Sequence, residues 1–378
     1  MIPTLDPGTP ALRGVLVAAL MLLVGAPPTF RFVVFPELER QGLDTARVHH
    51  AALTLVGAAL VAAVLAGTAL AVGNAPSVDV DSFVAWAGST ASGRMWTASI
   101  VAAAVVGLST VARHAIPDRT SRSLWLGTVF VGALAMLLAF CCTRYSAAVE
   151  SSSLAILAKV GHMTGAALWA GGLAVLAVLP GLVSSDSETE TAEFLLSATR
   201  RFSMIAVAGV TVAFATGTVI AAWHVPTLAA LVTTPYGVLL SLKVVLVTIA
   251  AGIGGFNRFV LHERIAYSVR ETNDAAVLPG MLTIVGPRIE PADAVSTFTR
   301  SIRLELAVLV LAIGLSVAIT TAVAPYEVLE PAAAASDGIV ATVTFVDFGR
   351  LLELGAVAIA LFGSLTLGYE LGEFGSDE

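Results

Sequence analysis

Charge is scarce in this sequence. Asp, Glu, Lys and Arg make up 12% of its 378 residues, about half the roughly 25% of an ordinary soluble domain. A soluble globular fold of this length is excluded on that ground. Lysine is nearly missing: Lys159 and Lys243 stand against eighteen arginines, with a net charge of −7. No basic stripe interleaved with aromatics is present, so nucleic acid is excluded as a partner. The only cysteines are Cys141 and Cys142. Adjacent residues sit about 100° apart around a helix, which makes the two poor disulfide partners. No phosphate-binding loop of the G-x-x-x-x-G-K-[ST] kind occurs, so the chain does not power itself with ATP. No nucleophile–base–acid set with a recognisable spacing lies on one membrane face, and the chain is read as a non-enzyme.

Apolar residues, in contrast, make up 57% of the chain, and they fall in long runs. The hydrocarbon core of a bilayer is about 30 Å thick, which a helix crosses in about 20 residues. Nine stretches meet that length: 11–34, 48–72, 95–112, 124–142, 154–182, 202–223, 236–256, 304–324 and 351–371. In lipid each backbone N–H and C=O needs a partner within its own segment, so these spans are helices. The expected class is an all-α polytopic transmembrane bundle. The first run is followed by no clean small-x-small cleavage site and is preceded by Asp6 and a lone Arg13, so it is kept as a span. The segment Arg258 to Arg303, with Pro279, Pro287 and Pro291, is expected to be a loop with one amphipathic turn.

Arginine sets the orientation, because positive charge collects on the cytoplasmic side of short loops. With Arg113, Arg119 and Arg122 inside, alternation also places Arg40, Arg47, Arg200, Arg201, Arg258, Arg264, Arg270, Arg288, Arg300 and Arg303 inside. The other face keeps Arg13, Arg94, Arg144, Lys159 and Arg350. The N-terminus is expected outside and the C-terminus inside. Acidic runs such as Asp186 to Glu190 and the tail Asp377-Glu378 suit a host living in high salt, while GC-rich coding also replaces Lys with Arg.

Ionisable and soft side chains inside a bilayer are functional candidates by default. His162 in the fifth span, His224 at the end of the sixth, Met163, and Cys141 with Cys142 at the end of the fourth all lie towards the outer face. Thiolate and thioether select Cu(I), and imidazole suits copper in either state. A copper site drawn from His162, Met163, Cys141, Cys142 and His224 is therefore expected. Cysteine as a small apolar filler, and His224 as an interfacial residue beside Trp223, are the competing readings. His49, His50, His114 and His262 lie at inner helix ends, as possible inner acceptors or as solvated ends. Lys243 either snorkels outwards or pairs with an anion. Glu305, close to Arg303 and Arg300, reads as a structural ion pair, as do Arg350 and Glu353.

Gly161-His162 with Ala167-Leu168-Trp169 and Gly171-Gly172-Leu173 resembles the core signature of the copper resistance protein D (CopD) family. Arg201-Phe202-Ser203 followed by Thr216-Gly217 and Ala222-Trp223 matches in the same order. Tyr236-Gly237 with Leu240, Lys243 and Asn257-Arg258 follows, then Arg303-Leu304-Glu305 and Ala324-Pro325. The resemblance covers about 150–325, with a weaker match at Ser92-Gly93-Arg94. It implies an eight-helix core in the cytoplasmic membrane, here 1–325, linked to copper uptake or resistance and served by a separate extracytoplasmic copper-binding protein. A linker at 326–350 and an added ninth helix with an acidic tail at 351–378 depart from the family, and the source is expected to be a halophilic archaeon. The family's Gly-His pair at the end of the fourth helix is also missing, replaced by Cys141-Cys142-Thr143-Arg144-Tyr145. If that histidine is a ligand, Cys141, Cys142 or Tyr145 must replace it.

Copper transport is the leading expectation. A haem b protein clamped by His162 and His224, and a non-transporting sensor or assembly subunit, are the alternatives.

Overall fold

The computed structural model describes residues 8–77, 79–115, 118–143, 153–183, 188–225, 227–262, 291–320 and 322, with 355–357, 359–361, 363, 364 and 367 of the C-terminal segment. Among them every regular element is helical. Helix α1 (Gly8–Thr29) passes through a π-turn (Phe30–Val34) into α2 (Phe35–Gln41), making one rod. Pro27 and Pro28 lie inside α1. Each lacks the N–H that would bond a carbonyl one turn back, and the wide π-turn follows directly. The rod stops at Gly42, whose φ of 70° is the left-handed conformation that glycine adopts without a Cβ clash.

Next come α3 (Ala46–Asn74), the short α4 (Val80–Ser89), α5 (Ala91–Ala115), α6 (Arg119–Thr143), α7 (Ser153–Val178) and α8 (Glu188–His224). A single turn α9 (Ala230–Thr233) leads to α10 (Pro235–Phe256), which continues through a second π-turn (Asn257–Leu261), and α11 (Pro291–Ile319) closes the series. Eight of these rods are long and apolar enough to cross a membrane. Large apolar side chains such as Leu65, Leu108, Val131 and Leu157 point outward, as a lipid-facing surface requires. The protein is an all-α polytopic membrane helix bundle.

Helix α7 sits at the centre. It packs on α1 and on α8, and α11 crosses both α7 and α8. Helices α3, α5 and α6 gather on the far side of α1, and α10 lies along α11. Without a hydrophobic force between helices in lipid, close packing depends on small residues. A Cβ on Gly165 of α7 would sit 2.5 Å from the carbonyl oxygen of Gly209 on α8. One on Gly171 would sit 2.6 Å from the carbonyl of Met21 on α1. The small-residue run after His162 is thus the double-sided seam of the bundle.

Three expectations are corrected. The sixth span does not begin at Phe202: α8 starts at Glu188 and runs for 37 residues, about 55 Å at 1.5 Å per residue, so its polar start projects past the bilayer. Likewise the segment before Arg303 is not a loop to its end, because α11 starts at Pro291, where a proline suits the first turn. A short helix, α4, was not expected. The Asp79 carboxylate caps it by accepting from the Ser82 N–H at 2.9 Å. Phe83 and Trp86 of α4 lie against Trp96 of α5 as an aromatic belt, Phe83 to Trp96 at 5.1 Å. The expected ninth span, 351–371, falls largely outside the described residues, as do Tyr145, the Arg350–Glu353 pair and the linker. Its described residues between 355 and 367 are helical.

Candidate functional site

His162 lies on α7, where the seam with α8 is tight. Its Nδ1 is 2.7 Å from the carbonyl oxygen of Ala213 on α8. A carbonyl only accepts, so Nδ1 carries the proton and Nε2 keeps its lone pair. The Lys243 Nζ of α10 approaches that Nε2 at 3.5 Å. Lys243 therefore does not snorkel outwards. Gly217 makes room for the ring, since a Cβ there would come 2.8 Å from its Cε1.

The other soft donors make contacts of their own. Cys141 is fully buried in the core on α6 and Cys142 is half-buried, both as free thiols. Met163 packs against the core. His224 holds the Ile220 carbonyl of its own helix at 2.8 Å and stacks on Tyr236, rings 6.1 Å apart. It is eleven residues along α8 from Ala213, about 16 Å at helical rise. That spacing does not favour a haem clamped between His162 and His224. Among the described residues no three His, Cys, Asp or Glu side chains come together in a way that could hold a metal ion.

At the arginine-rich end, His49 stands edge-on to Trp125 and near Phe35, and His50 bonds the Ala46 carbonyl at 3.0 Å. His114 ends α5 in the open, and His262 is buried beyond the second π-turn. Nearby, the Glu37 carboxylate is wholly buried and is held by Arg40 at 2.5 Å, Arg201 at 3.2 Å and Gln41 at 2.6 Å. Glu39 pairs with Arg119 and Arg122. These acids tie α2 to α6 and α8 on the arginine-rich side. Sequence reading missed Glu37, although a proline–acid step directly after an apolar run is a visible signal.

Deeper in the bundle lies a second polar group. Glu305 of α11 is 3% exposed. Its Oε1 accepts from the Trp169 indole N–H of α7 at 2.8 Å, and its Oε2 accepts from the Asn257 amide at 3.0 Å. Ser301 in turn donates to the Asn257 Oδ1. The expected pairing with arginine does not form, because Arg303 is turned to the Ala177 carbonyl at 3.4 Å. Asn257 opens the π-turn after α10, a widening that recurs at functional sites.

A cavity of about 350 Å³ lies beside this carboxylate. It runs from Phe214, next to the carbonyl partner of His162, down to Thr199 and Arg258, and its wall is mostly apolar. Asn257 and Ser301 were not singled out as site residues from the sequence. Only the fold shows that they meet Glu305.

Eight helices among the described residues long and apolar enough to cross a membrane, with ionisable groups turned inwards, define a multi-pass membrane protein. Residues 4–142 match the family model described as copper resistance protein D-like, N-terminal domain, and residues 196–319 match copper resistance protein D. The two matches follow one another and together span more than two thirds of the chain, which belongs to the CopD family of copper-resistance membrane proteins. Lys243, Asn257 and Glu305 fall inside the second match, and His162 and Trp169 lie between the two. Comparison with curated proteins and with solved structures gives no match.

Proposed function

We propose that this protein moves copper ions across the cytoplasmic membrane. One observation carries the proposal: His162 with Lys243 and Glu305 with Trp169 and Asn257 lie along one interface of α7, α8, α10 and α11, with a cavity beside Glu305 that reaches Phe214. Charged groups inside a bilayer are expensive and mark ion pathways. Nε2 of His162 is the donor atom left open by the Ala213 bond, and it suits copper as a transported substrate. Lys243 holds that atom until an ion displaces it, so binding at this level is weak enough to release, as a pathway needs. A separate extracytoplasmic copper-binding protein supplies the ion at the outer face. Cys141 and Cys142 on α6, Met163 on α7 and His224 on α8 are further soft donors towards the outer surface.

The test is copper uptake into proteoliposomes together with metal analysis of purified protein, for wild type and His162→Ala. Losing an imidazole ligand is expected to lower bound copper and uptake at least about tenfold. Equal loading and equal uptake in both proteins remove His162 from the pathway and the proposal with it.

A further inference from the structure

We propose that Glu305 reversibly binds a proton within the membrane, and that Asn257 and Ser301 accommodate both of its protonation states. A buried carboxylate needs a counter-charge, because an unpaired ion in a low-dielectric interior is heavily penalised. Among the described residues Glu305 has none: its oxygens receive neutral donors, Trp169 at 2.8 Å and Asn257 at 3.0 Å. The elements packed on α11 supply no cation to it among the described residues. From α7 comes Trp169, and from α8 come Thr199 and Ser203 on the cavity wall, while Arg201 is committed to Glu37. On α10, Lys243 faces His162. The π-turn after α10 adds Arg258, the other ionisable side chain among the described residues that line the cavity, which has interactions of its own. Arg31, in the π-turn after α1, holds the Ser123 carbonyl at 2.8 Å, and Arg303 of α11 holds Ala177.

The neutralising species is a proton rather than copper, since no sulfur or imidazole lines this cavity and soft metals are not selected by carboxylate oxygen. The relay beside it fits that role. With Glu305 ionised, the Asn257 amide N–H donates to it and the Ser301 hydroxyl donates to the Asn257 oxygen. With Glu305 protonated, the amide turns over: the acid O–H donates to the Asn257 oxygen, and the amide N–H donates to the Ser301 hydroxyl, which accepts as readily as it donates. The step is an acid dissociation, in which the carboxyl O–H breaks, the electron pair stays on the oxygen and the proton passes to water in the cavity. Gly254 makes room for the carboxylate itself, because a Cβ there would lie 2.9 Å from Oε1. Resting on the transport reading above, this makes the proton the ion that moves opposite to copper.

Infrared difference spectra of the full-length protein in lipid vesicles, recorded against pH without metal, test the proton site. Wild type is expected to show a protonated-carboxyl C=O band that disappears as pH rises, and Glu305→Gln, isosteric and neutral, to lack it. Asn257→Leu is expected to shift the midpoint by about one pH unit, a tenfold change in proton affinity. No titrating carboxyl band in wild type, or the same band in Glu305→Gln, overturns the proposal, and an unmoved midpoint in Asn257→Leu overturns the relay. Vesicles holding a trapped pH dye and given Cu(I) test the coupling separately. Copper entry with opposite proton flow supports it, and copper entry without proton flow overturns it. No copper entry at all overturns the transport reading and leaves the infrared result to decide the proton site.

Discussion

The Ala213 carbonyl decides which nitrogen of His162 is free, and the Lys243 ammonium decides how tightly that nitrogen binds. Two like charges about 4 Å apart repel by about 4 kcal/mol at an effective dielectric near 20. Replacing Lys243 by Leu is therefore expected to tighten Cu(I) binding at His162 by at least about tenfold and to slow turnover, read from competition with a Cu(I) chelator and from uptake rates. Asp79, outside the spans, gives a pH prediction. Hydrogen bonds from Ser77 first, then from Ser82, hold its carboxyl down at about 2 instead of the usual 3.8. A depressed native value means the cap stabilises α4 fully above 3.8 and is lost as pH falls through about 2. Amide protection of residues 80–89 in hydrogen exchange should fall in that window, and protection that is unchanged at lower pH would count against the cap.

At the scale of elements, glycine contacts position the site. His162 reaches Ala213 only because Gly165 and Gly209 let α7 and α8 touch backbone to backbone. Gly165→Leu is expected to force the helices apart, at a cost of about 1–3 kcal/mol or more from overpacking, and to lower copper binding along with the melting temperature in detergent. Gly57→Ala on α3, where a Cβ would meet nothing within 4 Å, is the control and should leave both unchanged. The π-turns do comparable work at the inner ends. The one after α10 turns Asn257 towards Glu305, and the one after α1 carries Arg31 to α6. Because α8 and α11 extend past the bilayer, their polar first turns build the inner face around Phe194, Phe298 and the Glu37 cluster.

Over the whole molecule, the ion pairs of Glu37 and Glu39 bind the inner ends of α2, α6 and α8 into one surface. That surface also carries most of the arginine, so it is expected to face the cytoplasm. Reporter fusions settle the orientation: a fusion after Ala115 should report from inside and one after Asn74 from outside. The reverse pattern would place the Glu37 and Glu39 ion pairs on the outer face.

The apolar runs determined the helical class and the position of each of the eight spans, because bilayer thickness fixes how many residues a crossing needs. They could not determine where α8 and α11 begin, since the polar turns beyond the lipid carry no such length requirement. Nor could they say which faces meet. Helices apolar all round have no sequence-level inner side, so Glu305 next to Arg303 read as a local ion pair. Its actual partners, Trp169 and Asn257, are 136 and 48 residues away, and Lys243 is 81 residues from His162. Those pairings exist only because glycine-lined helix contacts bring distant backbones close enough for single side chains to meet across them.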